Sequence, residues 1–261
     1  MNILLTGDDG YNSIGTRVLI QVLQKDHKLT VVGTKTQQSA VGGKLNIKTG
    51  GSWVETSVDG VQAFCIDGSP CDAMEFAYAK IPQKFDLLIS GVNLGENVGV
   101  SSISSGTVCA AWRGLGLEVA QNALALSWVT PGDFYFRKHD ESDPLDEFLE
   151  TPGKMVRTTI KKVIENSLWG SNFLNINFPA KHSEKMAWAK LAPSIKACYP
   201  PISVNEDNNT FSYPFSPHDE VICDTAYDIA ALRQGNITLT PLHLDWTDHA
   251  LYRKLENEKM V

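Results

Sequence analysis

Long apolar runs, an excess of positive charge and clustered cysteines are all missing from this sequence of 261 residues. No stretch approaches the roughly 20 apolar residues that span a bilayer. Lys plus Arg number 23 against 30 Asp plus Glu, a formal charge of -7. Nucleic-acid backbones and anionic membrane surfaces would be repelled, so neither is an expected partner. A small phosphorylated substrate stays compatible, because one cation and a few aimed N–H groups overcome a weakly acidic background locally. Cys65, Cys71, Cys109, Cys198 and Cys223 are scattered and offer no Cys-x-x-Cys spacing, which argues against zinc or dithiol chemistry and for small buried hydrophobes in a reducing compartment. The first residues run straight into a strand pattern with no basic segment and apolar stretch ahead of it, so the expectation is a cytoplasmic protein.

What is present is a 43% hydrophobic chain, enough for one sizeable core. Ile3 to Leu5 reads as a buried strand, and Ile14, Val18, Leu19, Val22 and Leu23 recur at helical spacing before a β-branched run at 29–32. A right-handed crossover makes these two strands parallel neighbours. Alternation on both sides of Asp59-Gly60 predicts a hairpin over 53–66. A short helix at 73–79, a strand at 85–91 ending in glycine, a helix from Gly106, a strand at 123–128 and a helix at 155–167 follow. Such alternation predicts an α/β fold: a Rossmann-like, mostly parallel sheet flanked by helices. The expectation is a single domain over 1–261. Within it, the proline- and aromatic-rich segment 197–224 reads as an extended hairpin arm that packs on another subunit. A helix, a stop at Gly235 and a final strand close the pattern.

In an open parallel sheet, ligands bind beyond the carboxyl ends of the strands. That rule selects three loops, one with Asp8 and Asp9, one with Ser39, and one with Asn93 and Asn97. Adjacent carboxylates repel, and a divalent cation removes the repulsion. Two carboxylates, a hydroxyl and an amide carbonyl form an all-oxygen set suited to Mg²⁺, Mn²⁺ or Ca²⁺. Singly, Ser39 and Asn93 are equally at home as turn residues. Ser105, Gly106 and Thr107 precede an apolar helical pattern, and a helix start of this kind binds phosphate or is simply N-capped by its serine.

Five stretches, "DDGYNSIG", "QQSAVGG", "DGSPCDAMEF", "SGVNLGENVG" and "SGTVCAAWRG", together with "LNINFP" and "TAYDIAALRQGNITLTPL" near the end, resemble the survival protein E (SurE) nucleotidases over nearly the whole length. The resemblance implies a Rossmann-like core with an exchanged C-terminal region and a homodimer or homotetramer. It also implies removal of phosphate from nucleoside monophosphates with one divalent ion per subunit, Mg²⁺ or Mn²⁺. Carried over by motif, Asp8, Asp9, Ser39 and Asn93 resemble the metal ligands. Asn97, Ser105, Gly106 and Thr107 resemble the phosphate-facing group, and Asp8, Asp9 and Asn97 the catalytic set. Gly7, Ile14, Ser104, Cys109 and Arg113 stand where the family usually has Asn, Pro, Tyr, Gly and Glu. Leaving-group protonation is not assigned, although His218 and His243 come into reach if the arm folds back.

Three rivals differ at identifiable residues. A haloacid-dehalogenase-type phosphatase needs its aspartates two apart, whereas Asp8 and Asp9 are adjacent. A Rossmann dehydrogenase needs Gly-x-Gly-x-x-Gly, which "GDDGYNSIG" does not supply. A metal-stabilised binding or assembly protein would keep the ligands without turnover.

Overall fold

The structure, a computed structural model, describes residues 1–130, 134–135, 137–139, 141–213 and 224–256. β1 (Asn2–Thr6), α1 (Ile14–Leu23) and β2 (Lys28–Thr34) form the first crossover, with β1 and β2 parallel. β3 (Ser52–Val58) and β4 (Val61–Asp67) form the hairpin, closed by Asp59 and Gly60 at φ 47° and 82°. Positive φ at both central residues matches the right-handed twist of the strands.

α2 (Pro70–Lys80) starts earlier than the apolar pattern suggests. Ser69 Oγ accepts from Asp72 N, Asp72 Oδ2 accepts from Ser69 N, and Pro70 occupies the first turn, where no N–H is needed. β5 (Phe85–Leu94) runs three residues past the glycine read as its end, through a register shift between Ser90 and Asn93. Glycine inside a strand commonly marks such an irregularity. Asn93 is therefore on the strand and not in the loop after it. α3 (Gly106–Gly116), β6 (Ala120–Trp128), the short α4 (Asp146–Phe148), α5 (Lys154–Glu165) and β7 (Phe173–Phe178) continue the alternation. β8 (Met186–Trp188), absent from the sequence reading, pairs in parallel with β11 (Ile237–Leu242).

Among the described residues the main sheet has the order β3-β4-β2-β1-β5-β6-β7-β11-β8. It is parallel except at β3–β4 and β7–β11. Its strands alternate between two cores. Ile3, Leu5, Leu87, Ile89, Leu124 and Leu126 face α1 and α5, while Leu4, Leu88, Ala123 and Ala125 face α2 and α3. Strands buried on both faces need no polar alternation, which is why they read as continuous apolar runs.

Part of the arm is visible as β9 (Ser203–Asn205) and β10 (Thr210–Ser212), antiparallel and wholly exposed; residues 214–223, with His218 and Cys223, lie outside the described residues. Beyond β11 the chain adds α7 (His249–Leu255), which buries none of its residues and was not expected. α6 (Asp228–Arg233) and the positive φ of Gly235 match the expected helix and stop. No described helix is long and apolar enough to cross a membrane.

Gly15 shows how tightly α1 is set against the bulged strand: a Cβ there would fall 1.8 Å from the Val92 carbonyl oxygen. Glycine to alanine inside a helix ordinarily stabilises by about 1 kcal/mol. Gly15→Ala is expected to reverse that sign and cost about 3 kcal/mol through overpacking against backbone. An unchanged urea midpoint would show that α1 does not approach β5 this closely.

Candidate active site

Asp8 and Asp9 leave the carboxyl end of β1, which lies between β2 and β5. The chain first builds outward from β1 to β2 and β4, then returns to β5 and builds the other way. Loops leaving a strand pair in opposite directions open a crevice at that point. Both carboxylates are nevertheless buried, at 5% and 7% exposure.

Asp8 is pressed onto the start of α3. Thr107 Oγ1 donates to Asp8 Oδ1, and a Cβ on Gly106 would stand 2.7 Å from Asp8 Oδ2, so only glycine admits this approach. Thr107 Oγ1 also lies 3.2 Å from Asn93 Oδ1. Asp9 faces β5 instead, accepting from Leu94 N over 2.9 Å and from Gln37 Nε2 over 3.0 Å. Gln37 Nε2 also reaches the Tyr135 carbonyl at 2.8 Å, and Asn93 Nδ2 donates to Gly95 O at 2.8 Å.

The other candidates are placed less directly. Ser39 is exposed, one residue beyond Gln38, whose N donates to Asp8 O at 2.7 Å. Ser105 Oγ accepts from Val108 N at 3.1 Å, the N-cap arrangement. Asn97 is anchored on all sides: Nδ2 donates to Ser127 Oγ at 2.8 Å, its N donates to Asn177 Oδ1 at 2.8 Å, and its carbonyl accepts from Asn175 Nδ2 at 2.7 Å and Asn177 Nδ2 at 3.0 Å. Two residues on, Gly99 N donates to buried Asp228 at 2.7 Å. The structure thus gathers Asp8, Asp9, Asn93, Gly106 and Thr107. Asn97, Ser105 and Ser39 stand around them with their own local partners or at the exposed edge. His243 is exposed and lies against the outer side of α3.

Sequence reasoning passed over Gln37, Ser127, Asn175, Asn177 and Asp228. The signal for the asparagine pair was present, since two amides at period two in an otherwise apolar strand must find partners on one face.

Burial, and then the neighbouring Asp9 charge, push the Asp8 carboxyl up to about 7. Burial pushes Asp9 up to about 6, against the lowering donated by Leu94 N–H and Gln37. Among the described residues no cationic side chain forms an ion pair with either aspartate. Nor do the described residues include a group of three or more His, Cys, Asp or Glu side chains placed for a metal. Beside the N–H groups of Leu94 and Gln37, what stands near the pair is neutral oxygen, from Asn93 and Thr107. A hard divalent cation fits this donor set, because it supplies the missing positive charge to oxygen ligands.

The sequence profile of the family described as Survival protein SurE matches residues 3–199. The chain belongs to the SurE family. A "5'-nucleotidase SurE" from Methanoculleus marisnigri is 32% identical, with 97% of this chain and 95% of the relative covered. One of the same name from Clostridium beijerinckii is 30% identical over 96% of each. The crystal structure of the SurE protein from Aquifex aeolicus matches the fold with a TM-score of 0.76, covering 98% of each chain at 24% identity. The α/β fold described above is thus the one that a solved SurE protein adopts.

The raised carboxyls carry a pH consequence. Folded values near 7 and 6 lie above the ordinary aspartate value of 3.8, so without metal the pair subtracts no stability below about pH 4 and its full penalty above about pH 7. Mn²⁺ should therefore raise the melting temperature strongly at pH 8 and much less at pH 5.5, where protons compete for the ligands. Equal shifts at both pH values, read by scanning calorimetry, would mean that the ion binds elsewhere.

Proposed function

We propose that this chain is a divalent-metal-dependent 5'-nucleotidase that hydrolyses nucleoside monophosphates to nucleoside and phosphate in the cytoplasm. The observation that carries the reading is the contact between two buried, uncompensated carboxylates and the N-terminus of α3. A cation-binding pair and an anion-binding helix start within one hydroxyl's reach suit a phosphomonoester. The names of the relatives at 30–32% identity support the same activity.

Asp8, Asp9 and Asn93 would hold one Mg²⁺ or Mn²⁺ per subunit, and Ser39 would complete the set from the exposed loop. Such an ion supplies positive charge to the phosphoryl oxygens and acidifies a water. The rest is this chain's own work. Gly106 and Thr107 offer first-turn N–H groups to the phosphate, and the positive end of α3 favours its charge. Ser105 fixes that first turn by capping it. Asn97, locked by Ser127, Asn175 and Asn177, presents a pre-ordered amide to the equatorial oxygens as their charge grows. Either aspartate is placed to take the proton of the attacking water as it bonds to phosphorus and the ester P–O bond breaks.

Purified protein should release phosphate from AMP, GMP and p-nitrophenyl phosphate with Mn²⁺ or Mg²⁺ and stop on chelation. Asp8→Asn should lower kcat at least about a thousandfold without lowering the melting temperature of the metal-free protein at pH 8, and should raise it, because it removes one of two repelling buried charges. Turnover at the wild-type rate in that variant would take Asp8 out of the site.

The reading includes a homodimer or homotetramer joined through the arm. Val204 and Phe211 are 67% and 64% exposed on β9 and β10, with no core of their own to cover. Replacing both by serine should shift the elution volume toward the monomer; a native elution volume would separate the arm from assembly.

A further inference from the structure

Asp9 receives one of its hydrogen bonds from a side chain that is itself held from outside the site. Gln37 Nε2 donates to Asp9 Oδ1 at 3.0 Å and to the Tyr135 carbonyl at 2.8 Å, so both protons of one NH2 group are used and the amide has one orientation. Tyr135 belongs to the connection between β6 and α4. Its ring lies over Gly95, where a Cβ would stand 2.4 Å from Tyr135 Cε1, and its hydroxyl donates to Glu96 Oε2 at 2.6 Å. The connection thus touches the candidate site twice, at the donor to Asp9 and at the residue before Asn97.

What fastens the connection is the start of α1. The first N–H groups of a helix have no partner within it. Ser13 Oγ accepts from Thr16 N at 3.3 Å, and Ile14 N donates to His139 Nδ1 at 3.1 Å. Proline, the family's usual residue at this position, has no N–H to give. An accepting Nδ1 leaves the ring proton on Nε2, which is buried and has no hydrogen-bond partner among the described residues. Arg17 Nη1 donates to Asp143 O at 2.8 Å, and Asn12 Nδ2 donates to Glu141 at 3.3 Å, tying the same connection to the same end of α1.

A second proton on His139 would turn the acceptor into a donor facing Ile14 N–H and place a cation at the positive end of the α1 dipole. The charged groups around the ring are Arg137, ion-paired with Asp143 on the same connection, Arg17 on α1, paired with Asp59 of the β3–β4 turn, and Glu141. Burial holds the imidazole below the ordinary histidine value of 6.5, with Asp143 opposing and Arg137 adding to the effect. The neutral ring is the folded form. Its contribution to stability is complete above about pH 7 and is lost as pH falls through 6.5 toward the lower folded value.

We propose that His139 is a positioning residue of the active site: by accepting the Ile14 N–H it fixes the connection on α1, and through the Tyr135 carbonyl it sets the Gln37 amide that donates to Asp9. The consequence for turnover rests on the nucleotidase reading, whereas the contact itself does not.

NMR of the full chain, metal-free and labelled with ¹⁵N, tests the contact. At pH 8 the His139 ring should show the Nε2–H tautomer. In His139→Phe the Ile14 amide should exchange about fivefold faster than in wild type, the scale of one lost hydrogen bond, and the Gln37 side-chain amide resonances should shift. His139→Gln keeps an acceptor that does not titrate. Between pH 8 and pH 5.5, after correction for intrinsic exchange, the Ile14 amide should loosen at least about twofold in wild type and not in His139→Gln. AMP hydrolysis with Mn²⁺ tests the consequence. His139→Phe should lower kcat about fivefold at pH 8 with KM within about twofold, and His139→Gln should restore most of that loss. The ratio of wild-type to His139→Gln kcat should fall at least about twofold from pH 8 to pH 5.5; the aspartates titrate in both proteins and cancel in it. Circular dichroism checks folding, and the comparison of wild type with His139→Gln stands without the phenylalanine variant.

An Nδ1–H tautomer, or an Ile14 amide equally protected in all three proteins, would overturn the contact. A broken contact with unshifted Gln37 resonances, or with unchanged kcat and an unchanged ratio, would overturn the positioning role. A wild type inert on AMP would overturn the nucleotidase reading, and the Ile14 and Gln37 resonances would then decide this proposal by themselves.

Discussion

Two adjacent carboxylates held out of water, next to each other and without a cationic side chain paired to them among the described residues, are the constraint around which the rest is arranged. Desolvation alone raises such groups by several pK units, and their mutual repulsion adds to it. The fold offsets this locally: α3 directs the positive end of its dipole and the Thr107 hydroxyl at Asp8, while β5 and Gln37 donate to Asp9. Those donors are not enough to restore ordinary carboxylate values, and the remaining imbalance is one that a hard ion would relieve. A site satisfied entirely by protein groups would have little left to bind with.

Such a centre works only if its surroundings do not relax. The chain between β5 and α3 contains glycines and serines that would leave it mobile in isolation, yet it is tied at Asn97 to β6 and β7 and at Gly99 to α6. Asp228 shows the same logic in a second buried carboxylate. It accepts from Gly99 N, Ala192 N and Ile229 N, three donors that hold three separate segments together. Rigid placement of donors before substrate arrives is the largest single contribution that a protein scaffold makes to stabilising developing charge.

The sheet, its crossovers and the hairpin were legible because their signals are local: apolar runs, period-3.6 spacing and an Asp-Gly turn. β5 was read short because glycine is a terminator in most contexts, whereas here it sits at the shift of register just before Asn93 and Leu94, whose N donates to Asp9. β8 was invisible, since three residues carry no period and the pairing with β11 is tertiary. At the site, Asp8, Asp9 and Asn93 could be inferred to share a rim from strand order alone. The anchoring of Asn97 could not, because it depends on side chains about 80 residues away. Ser105 caps α3, and sequence offers no means of separating that role from the phosphate-facing one proposed for it.

The departures at Cys109 and Arg113 bear on which property of the centre has changed. Arg113 is neutralised by Glu75 of α2, and the Cys109 thiol, pushed up to about 11 by burial and the Asp8 charge, stays neutral. Neither residue adds net charge near the aspartates, so the electrostatic basis of ion binding is untouched by them. Both instead line a cleft beside α3, where side-chain size and shape decide what can lie against the wall. Substitutions that leave the charged centre intact and alter the adjoining surface change the difference in affinity between competing ligands more than they change the reaction. In this chain these two positions leave the charge at the pair of aspartates as it is and reshape the surface beside α3.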